Sequence, residues 1–180
     1  MIQSSNDNII VSALRKGQVR RAVSLLLDSF NDELFAYCAT MLDDSAVATV
    51  YQRALMVAIG NLAAFDGQTT LRAWLFSTAR RAIMDHQWES PSIYPGARED
   101  GYCPLPPPGE VAPGDESGNE PMIMLPQADR ELLQLRFWHG LRLREVAFVV
   151  GRPVAEVRRS ASEALILLST NLRAGGSLPS

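Results

Sequence analysis

Aromatic, hydroxyl, amide and guanidinium side chains are combined in the stretch from Phe65 to Leu75. Aromatic rings stack on unpaired bases, and polar side chains bind base edges and phosphates. We therefore predict that this stretch can hold an unstacked base through Phe65, Gln68, Thr69, Thr70, Arg72 and Trp74. A second interpretation stays open, in which the two aromatic residues belong to the core of the domain.

Charged and hydroxyl side chains also recur on one face of a predicted helix that begins near Val154. They are Glu156, Arg158, Arg159, Ser160, Ser162 and Glu163. Arginine can pair with phosphates or with guanine, while serine and glutamate can contact phosphates or cytosine. The pattern favours DNA binding, and the alternative is the solvent-facing side of an amphipathic helix.

Arg80 and Arg81 lie near the end of the helix predicted to follow Thr70. They can face phosphates, or they can stabilise the C-terminal end of that helix through its dipole. Both interpretations stay open.

Residue patterns of catalysis and of metal binding are missing from the sequence. Cys38 and Cys103 are far apart, and the only histidines are His86 and His139. There is no Gly-rich phosphate loop, no metal-ligand spacing and no nucleophile elbow. We expect no enzyme activity, no metal and no cofactor.

Nothing in the sequence predicts export or membrane insertion. No uninterrupted apolar run approaches the roughly 20 residues that cross a bilayer. The first residues lack the basic start and the apolar stretch of a secretory signal. Two distant cysteines suit a reducing compartment, so we expect a cytoplasmic protein.

Charge is unevenly distributed along the chain, whose formal net charge is −3. Residues 1–88 carry eight basic and eight acidic side chains, residues 89–120 carry one basic and seven acidic, and residues 121–180 carry eight basic and five acidic. The distribution of charge governs attraction to phosphates more than the total does. The net acidity therefore does not exclude DNA binding.

The stretch from Ser90 to Pro121 separates two apolar parts of the chain. It contains eight of the eleven prolines and five of the twelve glycines, which are incompatible with a helix or a central strand. We predict a helical domain over 1–88, an extended, flexible acidic linker over 89–124, a second helical domain over 125–174 and a disordered tail over 175–180. Cys103 in the linker is expected to be an ordinary neutral thiol.

Apolar residues recur at spacings of three and four in the first domain and predict an all-α fold without a sheet. One run covers residues 19–30 and another 34–42, with Asn31 able to cap the second. Asp43-Asp44-Ser45 predicts the start of a further helix that runs to Phe65.

The next elements follow from turn and cap residues. Asp66-Gly67 predicts a turn, and Thr69 or Thr70 can cap a helix that continues through Ala82. This places the polar loop directly before the helix that carries Arg72 and Trp74.

In the second domain, a helix is predicted from Ala128 to Trp138, with His139-Gly140 as its stop. A short helix over 143–150 and a glycine turn at Gly151 follow. A longer helix starts near Val154, because Pro153 is tolerated in a first helical turn. Its inward-facing residues are predicted to be Val157, Ala161, Ala164, Leu165, Leu168 and Leu172. Short helix, glycine turn and longer helix form a helix-turn-helix pattern.

The ordered set of motifs resembles a known family. In the first domain the matching residues are Phe65-Asp66-Gly67, Leu71-Arg72, Trp74-Leu75, Ala79-Arg80 and Asp85-His86. In the second domain they are Leu125-Pro126, Leu133, Arg136, Gly140-Leu141, Glu145-Val146-Ala147 and Gly151. Over roughly residues 17–172 this order, with a linker between the halves, resembles the extracytoplasmic-function sigma factors of bacterial RNA polymerase.

The resemblance implies partners and roles. The partners would be the beta and beta-prime subunits of core RNA polymerase, promoter DNA and an anti-sigma factor. The first domain would bind the polymerase clamp through Thr49, Gln52, Arg53 and Met56. It would open the −10 element through Phe65, Gln68, Thr69, Thr70, Arg72, Trp74, Arg80 and Arg81. The second domain would read the −35 element through Arg142, Arg144, Arg152, Glu156, Arg158, Arg159, Ser160 and Ser162. The linker would run toward the RNA exit path.

The sequence departs from the family pattern in two helices. The stretch Ala48–Arg53 keeps Gln52 but lacks the acidic residues usual in the clamp-facing helix, and Glu163 stands where a basic residue is common. These departures favour a second hypothesis, a sigma-like decoy that binds an anti-sigma factor without initiating transcription. A third hypothesis is a two-component-type DNA-binding regulator that uses only the C-terminal helices. The match of the N-terminal half to the family counts against it.

Overall fold

A computed structural model describes residues 5–89, 122 and 125–175 of the chain, without the side chains of 5, 6 and 173–175. The predicted linker, Cys103 within it and the predicted tail fall outside these residues, except at Glu89, Met122 and Gly175.

Seven α-helices make up most of the described part of the chain, and no strand occurs in that part. They are α1 Ser5–Arg15, α2 Val19–Met41, α3 Asp44–Asn61, α4 Leu71–Glu89, α5 Gln127–Leu133, α6 Leu143–Val150 and α7 Val154–Gly175. The all-α prediction is confirmed. The chain divides into two compact units, with α1 to α4 in the first and α5, Leu143–Ala147 of α6 and α7 in the second.

The first unit is a helical bundle in which α2 contacts α1, α3 and α4, and α3 also contacts α4. Its largest fully buried side chains, apart from the α1 residue Ile10, are Leu26, Tyr37, Val50, Leu62, Leu71, Leu75, Phe76 and Ile83. The rings of Tyr37 and Phe76 meet with centroids 5.2 Å apart. This contact ties α2 to the helix that carries the predicted base-binding residues.

Helix α1 has no counterpart among the sequence predictions. Ile10 and Ala13 are buried, while the adjacent Ile9 is 47% exposed. The helix ends where Gly17 adopts a φ of +71° and the Gln18 N–H donates to the carbonyl of Ala13. Its apolar residues Ile10, Ala13 and Leu14 have helical spacing, but the helix is only 11 residues long, which makes the pattern short.

The predicted break at Asn31 is wrong, because α2 is one continuous helix of 23 residues. Phe30 and Leu34 are both buried, one turn apart, on either side of Asn31. Asn31 is exposed and accepts a hydrogen bond from the Tyr51 hydroxyl of α3. Burial of the continuous apolar face outweighs the local preference of asparagine for a cap.

Helix α3 starts after Asp43, as predicted, and ends earlier than predicted, with a 3-10 turn over Leu62–Ala64 before Phe65. The stretch Asp44–Ala64 is long and apolar enough to cross a membrane by length and composition alone. In the bundle, one face of α3 is buried through Val47, Val50, Ala54 and Ala58. Helix α3 is therefore a core element of the first unit.

In the second unit, Leu125, Leu133 and Ala164 form a buried cluster, and Met122 and Leu168 pack against it. Val157 and Ala161 are also buried, as predicted. Leu165 and Leu172 are 41% and 56% exposed, so their predicted inward position is wrong. The buried stripe is narrower than the apolar sequence pattern, since it follows one residue per turn.

The helix predicted over Ala128–Trp138 is regular only to Leu133 and continues as a π-helical turn over Gln134–Trp138. The Arg136 guanidinium donates to the carbonyl of Leu141 at 2.8 Å, and the Leu141 N–H donates to the carbonyl of Leu135. The predicted stop is confirmed by Gly140, with a φ of +63°. The π-turn leaves Phe137 and Trp138 60% and 74% exposed.

Candidate nucleic-acid interface

The loop between α3 and α4 is shaped by local hydrogen bonds. Gly67 adopts a φ of +74°, and the Gln68 N–H donates to the Asp66 carboxylate at 3.0 Å. The Ala73 N–H donates to the Thr70 hydroxyl at 3.2 Å, so Thr70 caps α4. The predicted turn at Asp66-Gly67 and the predicted cap are confirmed. These bonds place Gln68 on the surface, with Thr69 partly buried beside it.

Two aromatic residues border this loop. The ring centroids of Phe65 and Trp74 are 5.6 Å apart with an interplanar angle of 60°. Both side chains are partly buried, so each has a packed part and an accessible part. Such a pair can contribute to the core and still offer a surface on which an unpaired base stacks.

Arg72, at the second position of α4, is held by a residue of α2. Its Nε and one terminal nitrogen both lie close to the same Glu33 oxygen, at 3.0 and 2.9 Å. Its guanidinium also lies 6.0 Å from the Phe76 ring centroid. Glu33 is absent from the sequence predictions, because 39 positions separate it from Arg72 and nothing local connects them.

Arg80 and Arg81 are not grouped with the loop. They lie about 12 Å further along α4 than Arg72, at 1.5 Å per residue. Arg81 is exposed, while Arg80 is partly buried and donates to the Met84 sulfur at 3.0 Å. Any contact with nucleic acid from these residues would therefore be separate from the loop.

The residues implied in polymerase binding share one face of α3. Thr49, Gln52, Arg53 and Met56 are spaced as successive turns of a helix and all are exposed, Met56 at 75%. Arg53 forms an ion pair with Glu89, the last residue of α4, at 2.9 Å. This face of α3 thus combines the exposed thioether of Met56 with the charge of Arg53, which is already paired with Glu89.

The turn of the helix-turn-helix is formed as predicted. The Arg142 N–H donates to the Glu145 carboxylate at 2.7 Å, which caps the start of α6. Gly151 adopts a φ of +67°, and α7 begins at Val154 after Pro153. The local sequence therefore positions the start of the predicted recognition helix.

The polar residues of α7 fall into two groups. Arg158, Arg159 and Ser162 are exposed. In the part of the chain that the structure describes, the side chains of these two arginines make no hydrogen bond or ion pair, and Arg144 of α6 is exposed in the same way. These three arginines are available to an external anion.

The second group of polar residues is bound internally. Arg152 lies 3.6 Å from the Glu156 carboxylate and donates to the Ser160 hydroxyl at 3.2 Å. Burial raises the pKa of the Asp129 carboxyl on α5, Arg152 opposes this shift and Glu163 adds to it. DNA contacts by Arg152, Glu156 or Ser160 would have to replace these bonds.

No group of three or more histidine, cysteine, aspartate or glutamate side chains able to hold a metal is found within the described ranges. The residues of the loop and of α7 offer aromatic rings, hydrogen-bonding groups and positive charge.

Comparison with known proteins gives two relatives that cover nearly the whole chain. They are the "Probable RNA polymerase sigma-C factor" of Mycobacterium bovis and the "ECF RNA polymerase sigma factor SigC" of Mycobacterium tuberculosis. Each is 25% identical over 179 residues, which cover 91% of this chain and 92% of the relative. No family model matches the chain.

Two solved structures share the fold. CnrH, in complex with the cytosolic domain of CnrY, has a TM-score of 0.66 at 21% identity and covers 94% of this chain and 99% of its own. The sigma factor RpoE of Bartonella quintana, in complex with the anti-sigma factor NepR, has a TM-score of 0.62 at 19% identity and covers 82% and 94%. The chain therefore shares the all-helical fold of these two proteins. In sequence, the chain is similar to an extracytoplasmic-function sigma factor, the SigC relative.

Proposed function

We propose that this protein is a sigma factor that directs core RNA polymerase to specific promoters in the cytoplasm. The observation that carries the proposal is the presence, in one chain, of a capped aromatic loop at the start of α4 and a helix-turn-helix with exposed arginines. A regulator that binds only duplex DNA needs the second feature alone. A factor that also opens DNA needs a place for an unpaired base.

In this proposal the first unit binds the unpaired strand of the −10 element at the loop. Phe65 and Trp74 offer stacking surface, and Gln68, Thr69 and Thr70 offer hydrogen bonds to a base edge. Arg72, Arg80 and Arg81 supply positive charge along α4. The second unit reads the −35 element, with Arg144, Arg158 and Arg159 in direct contact and Arg142, Arg152, Glu156, Ser160 and Ser162 beside them.

Core polymerase would be bound at the exposed face of α3. Met56 supplies exposed apolar area at one end of this face, and Thr49, Gln52 and Arg53 supply polar groups beside it. We further propose that an anti-sigma factor holds the protein, because both solved neighbours are complexes with a second protein, which in the RpoE complex is the anti-sigma factor NepR.

The test is reconstitution with bacterial core polymerase and a library of promoter DNA, followed by sequencing of the transcripts. We expect transcripts that begin downstream of a shared pair of sequence elements, and none from core polymerase alone. A matched control is the double variant Arg158→Gln/Arg159→Gln, which should bind core polymerase and lose promoter choice. Absence of both core binding and initiation would refute the proposal.

The second candidate function is a sigma-like decoy that captures an anti-sigma factor. The specific observation in its favour is the α3 face, whose one arginine, Arg53, is paired with Glu89. Titration of the protein against core polymerase decides between the two functions. A decoy would leave core polymerase unbound while still forming a stable complex with an anti-sigma factor.

A further inference from the structure

Arg72 and Glu33 form a link between α4 and α2 next to the aromatic loop. The side chains are 31% and 42% exposed, respectively, so water and larger anions can reach the pair. Both contacts of the guanidinium go to one carboxylate oxygen, at 2.9 and 3.0 Å. Arg72 thus uses two of its five N–H donors on Glu33.

A carboxylate and a phosphate compete for the same edge of a guanidinium. Arginine donates its N–H groups to the oxygens of either anion. The donors that Glu33 occupies are therefore those that a phosphate of a bound strand would use. The charge of Arg72 is also compensated as long as the pair is closed.

The pair is weak enough to exchange. Ion pairs between partly exposed side chains contribute little to stability, because water screens them. The need to break this pair therefore lowers the affinity for a competing phosphate by a few fold and does not prevent binding.

We propose that Glu33 is an intramolecular competitor for Arg72, which lowers the affinity of the loop for single-stranded DNA until a phosphate replaces its carboxylate. The proposal rests on the function proposed above and adds to it a residue of α2 that sets how strongly the −10 strand is held. Glu33 is a tuning residue, since it acts through Arg72 and touches no base.

The experiment measures binding of a short, mixed-sequence, single-stranded DNA to the full chain by fluorescence anisotropy over a series of salt concentrations. The variants are Glu33→Gln, Arg72→Gln and the double variant. Asp28→Asn is the matched control, because Asp28 is an exposed acid of the same helix and its replacement changes the net charge by the same amount.

We expect Glu33→Gln to bind about twofold to fivefold more tightly than the unmodified chain, which is the fold-change that corresponds to an exposed ion pair. The slope of log affinity against log salt should change little, because Arg72 neutralises the same phosphate in the bound state of both proteins. Asp28→Asn should show a smaller gain. In the Arg72→Gln background, Glu33→Gln should gain no more than Asp28→Asn does.

The proposal is overturned if Glu33→Gln binds no better than Asp28→Asn, which includes the case in which neither binds. A gain that persists without Arg72 also overturns it. The affinity of Glu33→Asp for the DNA should lie between those of the unmodified chain and Glu33→Gln, because its shorter side chain weakens the contact with Arg72. Thermal unfolding checks that every variant is folded. If the gain of Glu33→Gln depends on Arg72 but the protein does not initiate transcription with polymerase, only the sigma function is refuted. If the protein initiates transcription but the gain does not depend on Arg72, only this inference is refuted.

Discussion

The ring centroids of Phe65 and Trp74 are 5.6 Å apart, at an interplanar angle of 60°. Phe65 precedes the turn of the loop, and Trp74 lies in the first turn of α4. The contact closes the polar loop between them. The carbonyl of Trp74 also accepts hydrogen bonds from the hydroxyls of Ser77 and Thr78, at 2.8 and 3.0 Å. Trp74 is therefore fixed from both its ring and its backbone.

Trp74→Ala should lower the free energy of unfolding by about 2 kcal/mol, since it removes a half-buried aromatic side chain and one aromatic pair. Trp74→Phe should keep most of that stability. If the ring also stacks on a base, promoter opening should fall strongly in Trp74→Ala and partly in Trp74→Phe. Chemical denaturation and permanganate reactivity of the promoter measure the two effects.

The control for this comparison is Tyr51→Phe, which keeps the ring contact with Phe35 and removes only the hydroxyl that donates to Asn31, and neither partner belongs to the loop. Opening should be unaffected by it. If Trp74→Ala is destabilised but opens promoters as well as the unmodified chain does, Trp74 is a packing residue only.

Gly151→Ala should destabilise the turn between α6 and α7 by about 1–2 kcal/mol, the cost of a left-handed conformation for a residue with a Cβ. The φ of Gly151 is +67° and an added Cβ would meet no atom within 4 Å, so the cost is one of backbone conformation alone. Thermal unfolding measures it.

Gly60→Ala is the matched comparison for Gly151→Ala, because its Cβ would also meet nothing within 4 Å but its backbone is helical. That variant should stabilise the first unit by up to about 1 kcal/mol, through helix propensity and a less flexible unfolded chain. Effects of the same sign in both variants would contradict the conformational explanation.

The parts of the fold that sequence predicts well are those that depend on neighbours in the chain. Gly140, Gly151 and Pro153 mark the helix-turn-helix because their backbone restrictions act locally, and Thr70 caps α4 for the same reason. Contacts between distant residues are not predicted. Glu33 meets Arg72 and Arg53 meets Glu89 only through the packing of α2, α3 and α4.

The difference between local features and distant contacts also explains which sequence predictions are wrong. Asn31 has the local preference of a cap, yet α2 continues through it because Phe30 and Leu34 are buried together in the bundle. Leu165 is apolar and in register, yet it is exposed because the buried stripe of α7 is narrow. In both cases tertiary packing, which a one-dimensional pattern does not contain, decides the outcome.

Cys38 should make the stability of the first unit depend on pH in the alkaline range. Burial raises the pKa of its thiol from 9.0 to about 11, because the thiolate is poorly solvated inside the bundle. The unfolded chain then loses this proton near pH 9 while the folded chain keeps it. Stability is fully present below pH 9 and falls as the pH rises from about 9 to about 11.

Denaturant unfolding of the unmodified chain and of Cys38→Ala, at several pH values across that interval, measures this contribution. The stability of Cys38→Ala relative to the unmodified chain should improve as the pH rises. Burial, followed by the nearby Cys38, also raises the pKa of the Tyr51 hydroxyl. Replacement of Cys38 therefore changes the titration of Tyr51 as well, and the measured difference includes both groups. A constant difference between the two proteins at all pH values would contradict the prediction.

Arg158→Gln and Arg159→Gln should weaken binding of duplex promoter DNA and flatten its salt dependence. Both side chains are exposed on α7 and make no hydrogen bond or ion pair within the residues that the structure describes, so an external phosphate meets no internal competitor. For every phosphate that is no longer neutralised, the slope of log affinity against log salt should fall by about 0.9.

The comparison with Arg152→Gln makes this prediction specific. Arg152 is bound to Glu156 and Ser160, so its replacement should change the slope less than either exposed arginine does, and it should lower the stability of α7. Arg20→Gln, an exposed arginine of α2 in the other unit, controls for net charge. If only Arg158→Gln and Arg159→Gln flatten the slope, the exposed face of α7 is the contact surface. If all four variants flatten the slope equally, binding depends on total charge and α7 is not the DNA-reading helix.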